Sequence, residues 1–179
     1  MVKHATESRA ERLGISRATL HKTHNDLPEK TREKVIELCN ARLADCTDLV
    51  SHAKTAHWNV KGPHFIGLHE LFDKIYKATS AHADLIAERC AQLGGTVLGT
   101  VRLAANSSSL DEYPIDIFTC EEHVKSMCRS LSQFGRLARE AIRQCDELDD
   151  QDSMDMFTDI SREIDMYLWF TEAHMQADR

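Results

Sequence analysis

Apolar residues recur at helical spacing along most of this chain, in steps that alternate between three and four residues. The clearest stripe consists of Ile36, Cys39, Leu43, Cys46, Val50, Ala53 and finally His57. Such a stripe is the buried face of an amphipathic helix that packs in a bundle. The sequence predicts that this helix begins near Leu27 and Pro28, with Asp26 as its cap. Gly62 and Pro63 end it.

Three further long helices and one short helix are predicted after this break. Their expected bounds are about 64–93 for the second helix, about 98–105 for the short helix, about 119–146 for the third and about 153–175 for the fourth. Gly94 and Gly95 end the second helix, and Thr119 with Glu122 forms a capping box for the third. The apolar positions noted in the fourth are Met156, Ile160, Tyr167 and Phe170.

The fold class follows from these elements. No strand-like alternation or internal repeat occurs, and glycine and proline are scarce, with 7 and 3 residues in 179. The long connection over residues 96–118 suits a chain that crosses from one end of a bundle to the other. The sequence therefore predicts an all-α four-helix bundle with a short helix in the crossover, over residues 23–179.

Charge is distributed unevenly along the chain. The formal net charge is −7, which argues against a generally basic nucleic-acid-binding surface. Residues 1–22 nevertheless carry five basic and two acidic side chains, so they are interpreted as a mobile basic arm. The six cysteines form no CxxC pair, and no apolar run could serve as a secretion signal or cross a membrane. A cytoplasmic protein with free thiols is expected.

Four groups able to bind a metal lie on one face of the second helix. With His69 at zero, helical geometry places Asp73, Asp84 and Glu88 near roughly 40°, 60° and 100°. His69 and Asp84 are nevertheless about 22 Å apart along the axis, so one ion cannot contact both within a chain. Either these are two unrelated pairs, or a second chain brings one pair onto the other. The bundle-type di-iron motif Glu-x-x-His is absent from the sequence.

A long ordered motif surrounds these residues. It runs His57-Trp58-Asn59-Val60-x-Gly62-x-x-Phe65-x-x-x-His69-Glu70-x-x-Asp73, followed by Asp84-x-x-x-Glu88-Arg89 and Gln92-Leu93-Gly94-Gly95. Ser107, Tyr113-Pro114 and Leu168-Trp169-Phe170-x-Glu172 continue the pattern. Over about residues 23–175 the sequence strongly resembles the Dps family, the DNA-binding proteins from starved cells, also called miniferritins.

The resemblance implies a ferritin-like four-helix subunit with a short helix in the crossover. Twelve such subunits are expected to form a hollow shell that oxidises Fe²⁺, preferably with hydrogen peroxide, and stores the ferric product. The resemblance also implies that the iron site lies between two subunits. His57, His69 and Asp73 then come from one chain, and Asp84 and Glu88 come from its partner. These five residues are the expected metal ligands and catalytic residues, iron is substrate and product, and protection of DNA from oxidative damage is the expected outcome.

Two secondary expectations concern charged segments. The arm over residues 1–22 is a candidate for DNA binding through phosphate contacts, multiplied by the number of subunits. The alternative function is therefore a DNA-compacting nucleoid protein with weak or secondary ferroxidase activity. An acidic group is a candidate cation-entry pore, although a solvated acidic turn is the default interpretation. This group consists of Asp146, Glu147, Asp149, Asp150, Asp152 and Asp155.

Overall fold

The computed structural model describes residues 20–176, and it shows five helices in that range. They are α1 (Glu29–Asn59), α2 (Phe65–Gln92), α3 (Val101–Ser107), α4 (Cys120–Glu147) and α5 (Gln151–Glu172). No strand occurs within the described range, where one isolated bridge joins Lys61 to Thr119. The predicted four-helix bundle with a short crossover helix is confirmed.

The four long helices pack as two antiparallel hairpins. α1 lies against α2 and α4 lies against α5, while α1 also packs on α4 and the short α3 packs on α1. Fully buried aromatic rings fill the space between the hairpins, among them Phe72, Phe134 and Phe157. Burying such side chains stabilises the fold by about 1.5–3 kcal/mol each. Within residues 20–176, no helix is both long and apolar enough to span a bilayer.

The predicted stripe on α1 is largely correct. All its members are buried except Val50 and His57, which are half-buried. On α5, by contrast, the buried apolar positions are Phe157, Ile160 and Ile164, and Phe170 remains 36% exposed. Ile160 is therefore the one predicted position of α5 that lies fully in the core. Four of the six cysteines are buried, and all six are free thiols, as expected.

The helix ends show where the local sequence is enough to predict the residue that caps a helix. The Thr119 hydroxyl accepts a hydrogen bond from Glu122 N at 3.2 Å, and the Glu122 carboxylate accepts one from Thr119 N at 2.9 Å. The predicted capping box is thus confirmed. The prediction of Asp26 as the cap of α1 is wrong, because Pro28 occupies that position and no side chain caps the helix.

The crossover is held along α1 by two polar side chains, the half-buried Asn40 and the buried Asp45. Asn40 accepts a hydrogen bond from Leu98 N at 2.8 Å and donates one to the carbonyl of Thr96 at 3.1 Å. Further along, Asp45 accepts one from Ser109 N at 2.6 Å. These bonds pair backbone N–H and C=O groups of the crossover with side chains of α1. They carry the chain from the end of α2 to the start of α4.

Candidate metal centre

The turn between α1 and α2 brings two distant histidines together. Gly62 has φ +127°, a backbone conformation that favours glycine, and its carbonyl accepts a hydrogen bond from Phe65 N at 3.1 Å. A side chain at this position would approach the Cys120 sulfur to 3.2 Å. The turn folds α2 back along α1, so that His57 in the last turn of α1 meets His69 in the second turn of α2.

The two histidines form a reciprocal pair. His57 Nδ1 donates to the carbonyl of His69 at 2.8 Å, and His69 Nδ1 donates to the carbonyl of His57 at 2.8 Å. Their rings are stacked, with centroids 3.7 Å apart and planes inclined by 23°. A carbonyl oxygen can only accept a hydrogen bond, so the proton of each neutral ring lies on Nδ1. Each Nε2 therefore keeps its lone pair, which is the state that a metal ligand requires.

Asp73 lies one turn after His69 and is held by two ammonium groups. Its Oδ1 accepts a hydrogen bond from Lys54 at 2.7 Å, and its Oδ2 lies 2.8 Å from the Nζ of Lys77. The hydrogen bonds from Lys54 and Lys77 hold the pKa of Asp73 well below its ordinary value. The predicted ligand Asp73 is thus close to the histidines, but both of its oxygens already contact cations.

Asp84 and Glu88 lie further along the same helix and are exposed. Because α2 is continuous from Phe65 to Gln92, the axial distance of about 22 Å between His69 and Asp84 stands. Within residues 20–176, no three His, Cys, Asp or Glu side chains converge on a point that could hold a metal ion. The structure therefore brings His57, His69 and Asp73 together and leaves Asp84 and Glu88 apart from them.

The neighbours of these two carboxylates are buried and paired. His82 Nε2 lies 2.8 Å from the Glu163 carboxylate. Arg89 donates to Asp150 at 2.7 Å and to the hydroxyl of Ser153 at 2.7 Å. Arg89 is therefore a structural residue that joins the end of α2 to the start of α5, which sequence spacing did not indicate.

This ion pair shows that one member of the acidic group, Asp150, was wrongly predicted to line a pore. Asp150 is 1% exposed, forms the pair with Arg89 and caps α5 by accepting a hydrogen bond from Ser153 N at 3.1 Å. It cannot line a solvent channel while it is buried in this way. The cap also explains why α5 begins at Gln151, two residues before the predicted start.

Trp58 directly follows His57 and is 67% exposed. It lines an apolar groove of ≈ 420 Å³ together with Lys54, Tyr76 and Val101 of α3. The contribution of Lys54 was missed from sequence. The available signal was its position three residues before His57, which places both side chains on one helical face.

The predicted arm lies mostly outside the described residues. Of residues 1–22, the structure describes 20–22, and Leu20 and His21 contact the bundle. Leu20 packs against the core, and His21 N donates to the carbonyl of Gly94 at 2.7 Å. Gly94 has φ +89°, and a side chain there would come within 2.6 Å of the His21 carbonyl. The end of the arm is therefore bound beside the C-terminus of α2.

Comparison with known proteins agrees with this architecture. The model of the ferritin-like domain matches residues 36–179. The DNA protection during starvation protein of Agrobacterium fabrum is 42% identical over 156 residues, which cover 87% of this chain and 96% of that protein. The chain belongs to the Dps family. The Dps-family protein of Mycolicibacterium smegmatis, also named DNA protection during starvation protein, is 30% identical over 151 residues, or 84% of this chain and 82% of that protein.

Solved Dps structures share the fold. DpsA14 from Streptomyces coelicolor superposes with a TM-score of 0.85 at 27% identity, covering 91% of this chain and 96% of that one. The tetragonal form of Mycobacterium smegmatis Dps gives a TM-score of 0.83 at 29% identity, covering 87% and 95%. Membership of the Dps family within the ferritin-like fold supports a protective, iron-related role for this chain.

Proposed function

We propose that this Dps-family protein oxidises Fe²⁺ at metal sites shared between subunits and stores the ferric product inside a homo-oligomeric cage, with hydrogen peroxide as the preferred oxidant. Removing both ferrous iron and peroxide suppresses radical formation and so protects DNA. The alternative, a primarily DNA-compacting protein, depends on the basic residues 1–22, most of which lie outside the described range.

The observation that carries the proposal is the division of the ligand set into two separate halves. His57 and His69 have fixed protonation on Nδ1 and present Nε2 for binding. Asp84 and Glu88 are exposed and one helical turn apart, but too far along α2 to reach those nitrogens. A two-fold axis completes both sets at once, because each chain then supplies one half of each of two equivalent sites.

The donor types fit the proposed substrate. Imidazole nitrogen and carboxylate oxygen are ligands that Fe²⁺ accepts, and an incomplete protein coordination sphere leaves positions for water or oxidant. Anionic oxygen ligands such as Asp84 and Glu88 stabilise Fe³⁺ more than Fe²⁺, which favours oxidation. Asp73 is a further proposed ligand. Each of its oxygens contacts one ammonium group and keeps a second lone pair that could bind a metal ion.

The proposed assembly is a dodecamer, the shell that the family resemblance implies. A shared site makes a two-fold contact the minimal requirement, and a closed shell provides the space for a mineral. Multi-angle light scattering of the purified full-length chain should give the mass of twelve subunits. A stable monomer at physiological salt would contradict both the assembly and the shared site.

Subunit mixing tests the shared site directly. His69→Ala damages one half of each site and Asp84→Ala damages the other, so each homogeneous oligomer should lose most Fe²⁺ oxidation. When the two variants are unfolded and refolded together, a mixed pair has one site with both lesions and one intact site. Random pairing should therefore restore about a quarter of the sites. Peroxide-driven Fe²⁺ oxidation, followed by absorbance, measures the recovery.

A matched mixture provides the control. His57→Ala and His69→Ala damage the same half, so refolding them together should restore no site. Recovery in the first mixture and its absence in the second supports the shared site. If the first mixture stays inactive while mass spectrometry shows mixed oligomers, the site is not shared and the proposal is wrong.

A further inference from the structure

Tyr113 and His123 form a buried hydrogen-bonded pair that the proposed metal site does not use. Tyr113 lies in the crossover before α4, and His123 lies in the first turn of α4. The phenol oxygen is 2.9 Å from His123 Nδ1, and the two residues are 6% and 1% exposed. Their ring planes are inclined by 19°. The crossover thus places a phenol against an imidazole in the interior of the bundle.

The direction of this hydrogen bond follows from burial. Burial raises the pKa of Tyr113 and lowers the pKa of His123, so at neutral pH the phenol is protonated and the imidazole is neutral. Within residues 20–176, the phenol O–H has no other acceptor. The phenol therefore donates and Nδ1 accepts. A basic nitrogen lies directly at the hydroxyl of a shielded tyrosine.

A phenol that is hydrogen-bonded to a base can give up one electron readily. Loss of an electron makes a phenol strongly acidic, so its proton must leave together with the electron. His123 Nδ1 lies within the range of about 2.6–3.2 Å in which a positioned base accepts a proton. The neighbouring Glu122 charge favours the imidazolium that forms. Hydrogen bonds with Thr119 lower the pKa of Glu122 and keep it ionised.

The other aromatic candidates lack this arrangement. The chain has three tyrosines, and all lie within the described residues 20–176. The ring of Tyr76 faces the Lys54 ammonium, 4.4 Å from its centroid, which opposes loss of an electron from that ring. Tyr113 is the one tyrosine in this range whose hydroxyl contacts an imidazole. Both tryptophans are exposed, so a radical on either would be open to solvent.

We propose that Tyr113, with His123 as its proton acceptor, is a one-electron donor that quenches strongly oxidising radicals within the subunit. Tyr113 gives one electron to a hydroxyl radical, the product of ferrous iron and peroxide, which becomes hydroxide. The phenol O–H bond breaks and its proton moves to His123 Nδ1, leaving a neutral tyrosyl radical beside an imidazolium. A ferrous ion then returns one electron, becoming ferric, and His123 returns the proton.

The position of the pair suits this activity. The Tyr113 ring lies 5.2 Å from the ring of His52, centroid to centroid. His52 precedes His57 by five residues on α1, which is about 7.5 Å along the helix axis. Electrons cross such distances through packed side chains, so the oxidant need not touch the buried phenol. The inference goes beyond the proposed function, because radicals from any source are covered.

A photochemical experiment tests the pair without iron. In the assembled full-length protein, flash photolysis of a ruthenium tris-bipyridine complex with a sacrificial electron acceptor generates a strong one-electron oxidant. Rapid freezing and electron paramagnetic resonance of the wild type should show a tyrosyl radical. Tyr113→Phe should lose most of this signal. The double variant Tyr76→Phe/Tyr167→Phe keeps Tyr113 as its one tyrosine and should retain the signal.

His123→Gln tests the proton acceptor. The glutamine amide oxygen accepts a hydrogen bond but is too weak a base to take the proton. The radical yield should therefore fall towards that of Tyr113→Phe, whereas a purely structural hydrogen bond predicts an unchanged yield. Circular dichroism checks the fold of each variant. If either variant unfolds, ring-deuterated tyrosine in the double variant decides, because a signal from Tyr113 must then narrow.

A second measurement uses ferrous iron and peroxide. Tyr113→Phe should release more hydroxyl radical to a spin trap than the wild type does, at an unchanged rate of Fe²⁺ oxidation. An unchanged spin-trap yield, a wild type without a tyrosyl signal, or a full signal in Tyr113→Phe or His123→Gln overturns the inference. Failure of the wild type to oxidise Fe²⁺ contradicts the proposed function instead, and the photochemical result still decides the role of Tyr113.

Discussion

The two halves of α2 carry similar ligand-type residues in very different settings. In the first half, the His69 ring is fixed by a hydrogen bond and by stacking, and both oxygens of Asp73 contact lysines. In the second half, Asp84 and Glu88 are exposed. The first half of the helix is therefore ordered by contacts within its own chain, and the second half carries exposed carboxylates that the proposed shared site would use.

The cause of this difference is the direction in which each residue faces. His69 and Asp73 face α1, where His57 and Lys54 meet them. The basic residues of the second half that face the bundle are His82 and Arg89. Both are buried and paired with groups near or on α5. Alternation of paired and exposed polar residues along one helix therefore separates groups that hold the fold from the exposed groups that the proposed site would use.

The largest expected effect contrasts two adjacent residues, Arg89 and Glu88. Arg89→Ala leaves the buried carboxylate of Asp150 without its cation, so it should destabilise the fold by about 3–5 kcal/mol. Glu88→Gln changes an exposed side chain and should alter stability by less than about 0.5 kcal/mol. Urea unfolding at one fixed protein concentration, followed by circular dichroism, measures both. Similar losses for the two variants would remove the distinction between fold-holding and binding residues.

The next effect concerns stabilisation by metal. Zn²⁺ at a hundredfold excess over its dissociation constant should stabilise the wild-type fold by about 2.7 kcal/mol through linkage. Asp84→Asn should keep the metal-free stability and lose this gain. Glu70→Gln, an equivalent change at another exposed position of α2, should retain it. Melting temperatures with and without Zn²⁺ measure the contrast, and a full zinc effect in Asp84→Asn would show that Asp84 is not a ligand.

The smallest effect is a pH dependence confined to the ordered half. Hydrogen bonds from Lys54 and Lys77 lower the pKa of Asp73 below its ordinary value of 3.8. An acid with a lowered pKa in the folded state adds stability above the ordinary pKa, and this is lost as pH falls towards the folded value. The stability difference between wild type and Asp73→Asn should therefore be constant from about pH 7 to 5 and shrink below about pH 4.

The comparison variant for this experiment is Asp84→Asn. Its stability difference from the wild type should stay small across the same pH range, because no cation contacts Asp84 within residues 20–176. Denaturant unfolding at each pH gives both curves. A difference for Asp73→Asn that grows as pH falls would reverse the expected sign and contradict the role of the lysines.

The sequence by itself determined the helices, because their signals are local. Apolar spacing, the glycine turns at Gly62 and Gly94, and the Thr119–Glu122 capping box act over a few residues and need no distant partner. The shared face of His69, Asp73, Asp84 and Glu88 also follows from helical geometry alone. The same geometry shows that one chain cannot bring His69 and Asp84 onto one ion.

Only the tertiary structure decided which of these side chains are paired with other groups of the chain and which are exposed. The His57–His69 pair spans 12 residues, the Lys54–Asp73 pair spans 19 and the Arg89–Asp150 pair spans 61. Each depends on how two helices are rotated and placed against each other, and a linear pattern does not specify this. For that reason the sequence marked Asp73 and Asp150 as acidic candidates, while packing turned both into the partners of buried or half-buried cations.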